Sequence, residues 1–127
     1  MSHFSTIQTQ IVAKEYLLKA LNDLHLKWQE GNIEINGYQG NKTRVEICVE
    51  TNNAGFDIGF RKNAKNYELI ADWWGIKDIN QEEFVQNLTQ RYAYHAVKDQ
   101  LEQQDFTFVE EEIKDDKTIH LTVRRMY

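Results

Sequence analysis

The sequence predicts an α+β domain: a mainly antiparallel β-sheet with two α-helices packed on one face, in the order β-α-β-β-β-β-α-β-β. Two observations carry this reading. Apolar residues recur at period two over 43–50, 56–61 and 67–74, and at helical spacing over 12–25 and 80–103. The strands come in runs separated by only two helices, which favours antiparallel pairing and leaves both helices for one sheet face. A length of 127 residues fits one domain, spanning 1–127.

Residues 3–11 are rich in β-branched and aromatic types and predict a first strand. In 12–25, Tyr16, Leu17, Ala20, Leu21 and Leu24 share one side of a helical wheel, with Lys14, Lys19 and Asp23 left to water. His25 stands where that helix stops, and a left-handed stop there carries a modest backbone cost for a non-glycine residue. Residues 33–38 read either as a further strand or, through Asn36-Gly37, as a tight hairpin turn; the sequence leaves both open.

Three strands follow. Val45, Ile47 and Val49 alternate with Arg44, Glu46, Cys48 and Glu50; Phe56, Ile58 and Phe60 with Asp57, Gly59 and Arg61; Tyr67, Leu69, Ala71 and Trp73 with Glu68, Ile70, Asp72 and Trp74. Asn52-Asn53-Ala54-Gly55 and 62–66 supply turn residues between them. Asn80 caps a long helix over 80–103, with Glu82 and Glu83 in its first turn. That helix has two apolar stripes, one through Phe84, Val85, Leu88, Tyr92, His95 and Ala96, the other through Tyr94, Val97 and Leu101, so it is expected to pack against more than one element. Residues 105–113 and 117–124 form a final hairpin.

Hydrophobic residues make up 41% of the chain and aromatics 12%, enough to build a core and against disorder. The net charge of −5 argues against nucleic acid or an anionic membrane as partner. One cysteine, Cys48, rules out an intramolecular disulfide and favours a reducing compartment. The start of the chain shows no signal-peptide pattern, and no apolar run reaches membrane-spanning length.

Parity collects Arg44, Glu46, Cys48, Glu50, Asp57, Arg61, Glu68, Asp72, Trp74, His120 and Arg124 on the face opposite the helices. Such a face is ordinarily a solvated surface with cross-strand ion pairs. Its sharper reading is a binding face for another protein. Adjacent Trp73 and Trp74 on a strand point to opposite sides, so one anchors the core and the other is left to be covered. A small-ligand or catalytic site would need His120, Asp72 and Asp57 to converge, with Cys48 as a conceivable nucleophile beside His120. His95 and Asp99 lie one turn apart and are expected to pair. No phosphate-loop, dinucleotide, hydrolase-elbow or zincin pattern occurs, and neither a catalytic residue, a cofactor nor a metal site is assigned. A nucleic-acid role would need Arg44, Arg61, Arg124 and Arg125 to cluster. Free strand edges offer a route to a dimer, with the edge unspecified.

Met1-Ser2-His3-Phe4-Ser5, Ala71-Asp72-Trp73-Trp74-Gly75-Ile76, Gln90-Arg91-Tyr92-Ala93-Tyr94-His95 and Leu121-Thr122-Val123-Arg124-Arg125 together resemble the hypothetical chloroplast reading frame 35 family of cyanobacteria and red-lineage plastids, a domain of unknown function. The resemblance covers nearly the whole chain, and the combination of motifs is more specific than any one of them. His25 departs from the glycine usual in that family. The resemblance implies a cyanobacterial cytoplasm or a plastid stroma and a context of photosynthesis or plastid gene expression, but no activity and no site residues. The expected function is a non-enzymatic protein-binding or assembly module; the alternative is a ligand-binding protein or enzyme built on His120, Asp72 and Asp57.

Overall fold

Both periods appear where the sequence places them. The computed structural model describes residues 4–114 and 118–125. It runs β1 (Ser5–Gln8), α1 (Lys14–Asp23), β2 (Trp28–Asn36), β3 (Lys42–Val49), β4 (Ile58–Asn63), β5 (Asn66–Ala71), α2 (Gln81–Gln103), β6 (Phe106–Ile113) and β7 (Ile119–Arg125). This is the expected element order. The start of the first predicted strand at His3 and the hairpin turn at 115–117 lie outside the described residues.

Five strands form an antiparallel sheet in the order β1-β5-β4-β3-β2. Ile47, Phe60 and Leu69 lie in one cross-strand row, and with Val49, Ile58 and Ala71 they meet Leu17, Ala20 and Leu21 of α1 and Phe84 and Leu88 of α2. Both helices therefore cover the same face, and fully burying each of the Val, Leu, Ile and Phe side chains is worth roughly 1.5–3 kcal/mol. Helix α1 ends in a left-handed turn as expected: His25 has φ 58°, its N–H donates to the Asn22 carbonyl, and Leu26 N–H donates to Leu21. That double closure satisfies two carbonyls the helix end would otherwise leave bare.

The structure corrects three expectations. First, β6 and β7 are not part of the sheet; they form a separate two-stranded ribbon. Asp105, at φ 64°, reverses the chain immediately after α2, so β6 returns along the helix and not to a sheet edge. Tyr94 of α2 donates to Glu111 of β6 at 2.7 Å across that packing.

Second, the face opposite the helices is not simply wet. Ile35, Val45, Cys48 and Ile70 are buried there, with Phe4 and Ile33 against them. Val45 breaks the parity predicted for β3. The β3–β4 ladder stops at Ile47, and the Glu46 carboxylate accepts the Lys62 N–H in its place. Val45 then lies over Gly59, where a Cβ would stand 2.2 Å from its Cγ1. A bulge in β2 between Glu30 and Ile33, with Gly31 at φ 148°, bends the β2–β3 hairpin across this face.

Third, the strand predicted over 67–74 stops at Ala71, and that over 56–61 is observed at Ile58–Asn63. Residues 33–36 belong to β2. Asn36 ends β2, and Gly37 begins a five-residue connection through a 3₁₀ turn, Tyr38–Gly40, and not a two-residue hairpin turn.

Candidate functional site

Asp72 follows β5 directly and organises one end of the sheet. It is 1% exposed. One carboxylate oxygen accepts the Tyr38 N–H at 2.9 Å, and the other accepts the Trp74 N–H at 3.2 Å. The first bond ties down the β2–β3 connection, and the second caps the 3₁₀ turn Trp73–Gly75. A buried carboxylate needs such donors, and here it receives them from the two residues whose rings meet outside.

The Tyr38 and Trp74 rings pack edge to face, with centroids 4.8 Å apart and planes at 70°. Phe56 tilts against the indole at 6.3 Å. The Lys77 ammonium lies 5.1 Å from the indole centroid and donates to the Trp74 carbonyl at 2.6 Å. Gly75 is required beneath, because a Cβ there would stand 1.8 Å from the Phe56 ring. Trp73 turns inward against Phe84, while Trp74 stays 56% exposed. The expected inward-outward split of the two tryptophans is present, but a 3₁₀ turn produces it, not a strand pleat.

The loop at 51–57 braces this platform. Asn53 donates to Thr51 Oγ1 and Asp78, and accepts the Lys77 N–H at 3.1 Å. The hydrogen bond from Asn53 holds the Asp78 carboxyl below its usual range. Asp57 lies in the same loop, immediately before β4, and accepts from the Thr51 N–H at 2.9 Å. Cys48 lies 3.6 Å from the other Asp57 oxygen. Burial, reinforced by that carboxylate, pushes its thiol up to about 12. A thiol held protonated at neutral pH is a poor nucleophile, and His120, the base that reading needs, lies in the other sheet.

The remaining expected residues lie elsewhere. Arg61 pairs with Glu68 across β4 and β5 at 3.4 Å and donates to the Arg44 carbonyl. Glu68 also accepts from Gln8 and Asn63 at 2.8 and 2.7 Å, and those two bonds, Gln8 first, hold its carboxyl below the usual range against the opposing effect of burial. His120 and Arg124 sit on β7, in the separate ribbon. The face inferred from parity is thus divided: Asp72, Trp74 and Asp57 converge on one end of the sheet, Arg61 joins a polar cluster on its surface, and His120 and Arg124 belong to another sheet. The four arginines proposed for a basic cluster are split in the same way. Among the described residues, no group of three or more His, Cys, Asp or Glu is placed to hold a metal ion.

The other motif, on α2, ties the fold together. Asp23 of α1 accepts from Arg91 at 2.8 Å and contacts the His95 ring at 2.6 Å. Burial raises the Asp23 carboxyl, but the bonds to His95 and Arg91 outweigh it and hold the group below its usual range. The expected His95–Asp99 pair is not formed; Asp99 instead accepts from Tyr16 and Gln103. The Tyr92 hydroxyl accepts the N–H groups of Val12 and Ala13, and so ties the segment entering α1 to α2.

Tyr38, Phe56, Lys77 and Asn53 are site residues that sequence reasoning missed. Their only local signal is turn chemistry around Asn36-Gly37 and Asn52-Asn53-Ala54-Gly55.

An antiparallel sheet with two helices on one face and a braced, solvent-facing tryptophan defines an α+β domain with a surface platform. The chain belongs to the DUF1257 family, described as a protein of unknown function, whose model matches residues 20–122. It is similar to proteins described as uncharacterized protein ycf35, the hypothetical chloroplast reading frame: 42% identical to that of Cyanophora paradoxa over 98% of both chains, 37% to that of Guillardia theta and 34% to that of Pyropia yezoensis, each also over 98% of both chains. No solved structure matches the chain. No helix among the described residues is long and apolar enough to cross a membrane.

Proposed function

We propose that the protein is a non-enzymatic binding module of the cyanobacterial cytoplasm or plastid stroma, which docks another protein through Trp74. The exposed indole on a fixed scaffold carries this reading. A tryptophan whose backbone and neighbouring rings are already ordered loses little further entropy when a partner covers it. Such residues dominate binding energy where a partner pocket desolvates them. The fitting partner offers an apolar pocket for the indole and carboxylates at its rim for Lys77.

The competing reading, catalysis by His120 with Asp72 and Asp57, is weaker on the same geometry. Both Asp72 oxygens are engaged by backbone donors, and His120 lies on the separate ribbon. The test is affinity capture with the tagged chain and its Trp74→Ala variant from a cyanobacterial lysate. A stoichiometric protein retained by the first and lost by the second supports the reading. A partner retained equally by both, or a bound metabolite with no protein, overturns it.

A further inference from the structure

Two apolar grooves among the described residues flank the same helix. One, of about 600 Å³, lies between α2 and β1 and includes Ile7, Glu82 and Val85. The other, of about 450 Å³, lies between α2 and β7 and includes Val97, Ile119 and Leu121. Gln86 and Gln90 line both, so the grooves adjoin across one face of α2. Val97 is 45% exposed within it.

Each groove is bordered by an unpaired strand edge. Among the described residues, β1 pairs only with β5 and β7 only with β6. A strand edge of this kind specifies the backbone of another extended segment as its occupant. The opposite edge of the five-stranded sheet is protected differently. Strand β2 carries the bulge between Glu30 and Ile33, and its Glu30 and Glu34 are paired with Lys14 and Lys42. The unprotected edge is the one beside the apolar trough.

We infer that this trough is a self-association surface, in which β1 of one copy pairs with β7 of a second copy and the reverse pairing closes a two-fold dimer. Three features of the chain fit that occupant. The β6–β7 ribbon has only two strands, an arrangement of marginal stability that gains from a third. Strand β7 alternates Ile119, Leu121 and Val123 with polar residues, the pattern needed to fill an apolar groove from an edge. A two-fold axis crossing the middle of α2 runs the two helices antiparallel. It brings the acidic first turn of one α2, with Glu82 and Glu83, towards the end of the other β7, where Arg124 is exposed. One molecule therefore carries both halves of a complementary surface, and both grooves close in a single event.

The test is sedimentation equilibrium of the full chain over a range of concentrations, with Glu82→Arg, Arg124→Glu, their combination, and Val97→Glu. The native chain is expected to reach twice the mass of one chain. Each single charge reversal should weaken association by at least about tenfold, the combination should restore it, and Val97→Glu should leave monomer. Glu82 and Arg124 are both exposed, so these reversals leave the fold intact. A native chain that stays monomeric overturns the inference. So does a dimer that none of the variants weakens, or one that the combined reversal fails to restore. Trp74→Ala lies outside this surface and is expected to leave the dimer unchanged, so the result is independent of the Trp74 reading.

Discussion

Asp72 shows how one side chain sets the geometry of several others. Its carboxylate joins the β2–β3 connection to the 3₁₀ turn, and both residues it holds contribute a ring to the platform. Asp72→Ala is expected to lower stability by about 3 kcal/mol, because two backbone donors lose a charged acceptor. Chemical denaturation measures that loss. The same variant should weaken partner binding although Trp74 is still present, the mark of a positioning residue. His25 gives the opposite expectation. At φ 58° it occupies a conformation that glycine adopts without strain, so His25→Gly should raise stability by about 1 kcal/mol. The sequence showed this stop, because helical spacing and a non-glycine residue are local facts. It did not show the donors to Asp72, because Tyr38 lies 34 residues away and only the fold brings it near.

Elements were legible where their periodicity was local and illegible where pairing decided. The period-two runs predicted β3, β4 and β5, and helical spacing predicted α1 and α2. Parity failed at Val45 because the ladder gives way to the Glu46 side chain, which no alternation rule contains. It failed for His120 and Arg124 because it assumed one sheet, whereas the left-handed Asp105 sends β6 back along α2. The Val45–Gly59 contact is testable. Gly59→Ala should cost about 1–3 kcal/mol through overpacking, and Val45→Ala in the same chain should recover part of it. A double-mutant cycle in urea measures the coupling; additive losses would place Val45 elsewhere. The clamp between α1 and α2 makes a pH prediction. Asp23 titrates lower folded than unfolded, so its contribution is present above the ordinary carboxylate range and fades as pH falls through its depressed folded value. Stability measured against pH should therefore decline more steeply on the acid side for the native chain than for Asp23→Asn.

For the whole molecule, the two surfaces divide the labour. The trough beside α2 carries self-complementary edges, and the end of the sheet carries the braced indole. The core beneath them is anchored by side chains such as Phe60, whose replacement by Ala should cost about 3–5 kcal/mol and remove both surfaces together. The fold class was readable because an α+β domain is specified by repeated local patterns. The platform was half readable: Trp73-Trp74-Gly75 stood out, while Phe56, Lys77 and Asn53 came from loops whose meeting is a property of the tertiary structure.

The central claim is that Trp74 anchors a partner protein. The most direct measurement is the affinity of the purified partner for the native chain, Trp74→Ala and Glu82→Arg, by fluorescence anisotropy of the labelled partner. A loss of about thirtyfold for Trp74→Ala, with Glu82→Arg unchanged, is the predicted result. Equal affinity for the native chain and Trp74→Ala would contradict it.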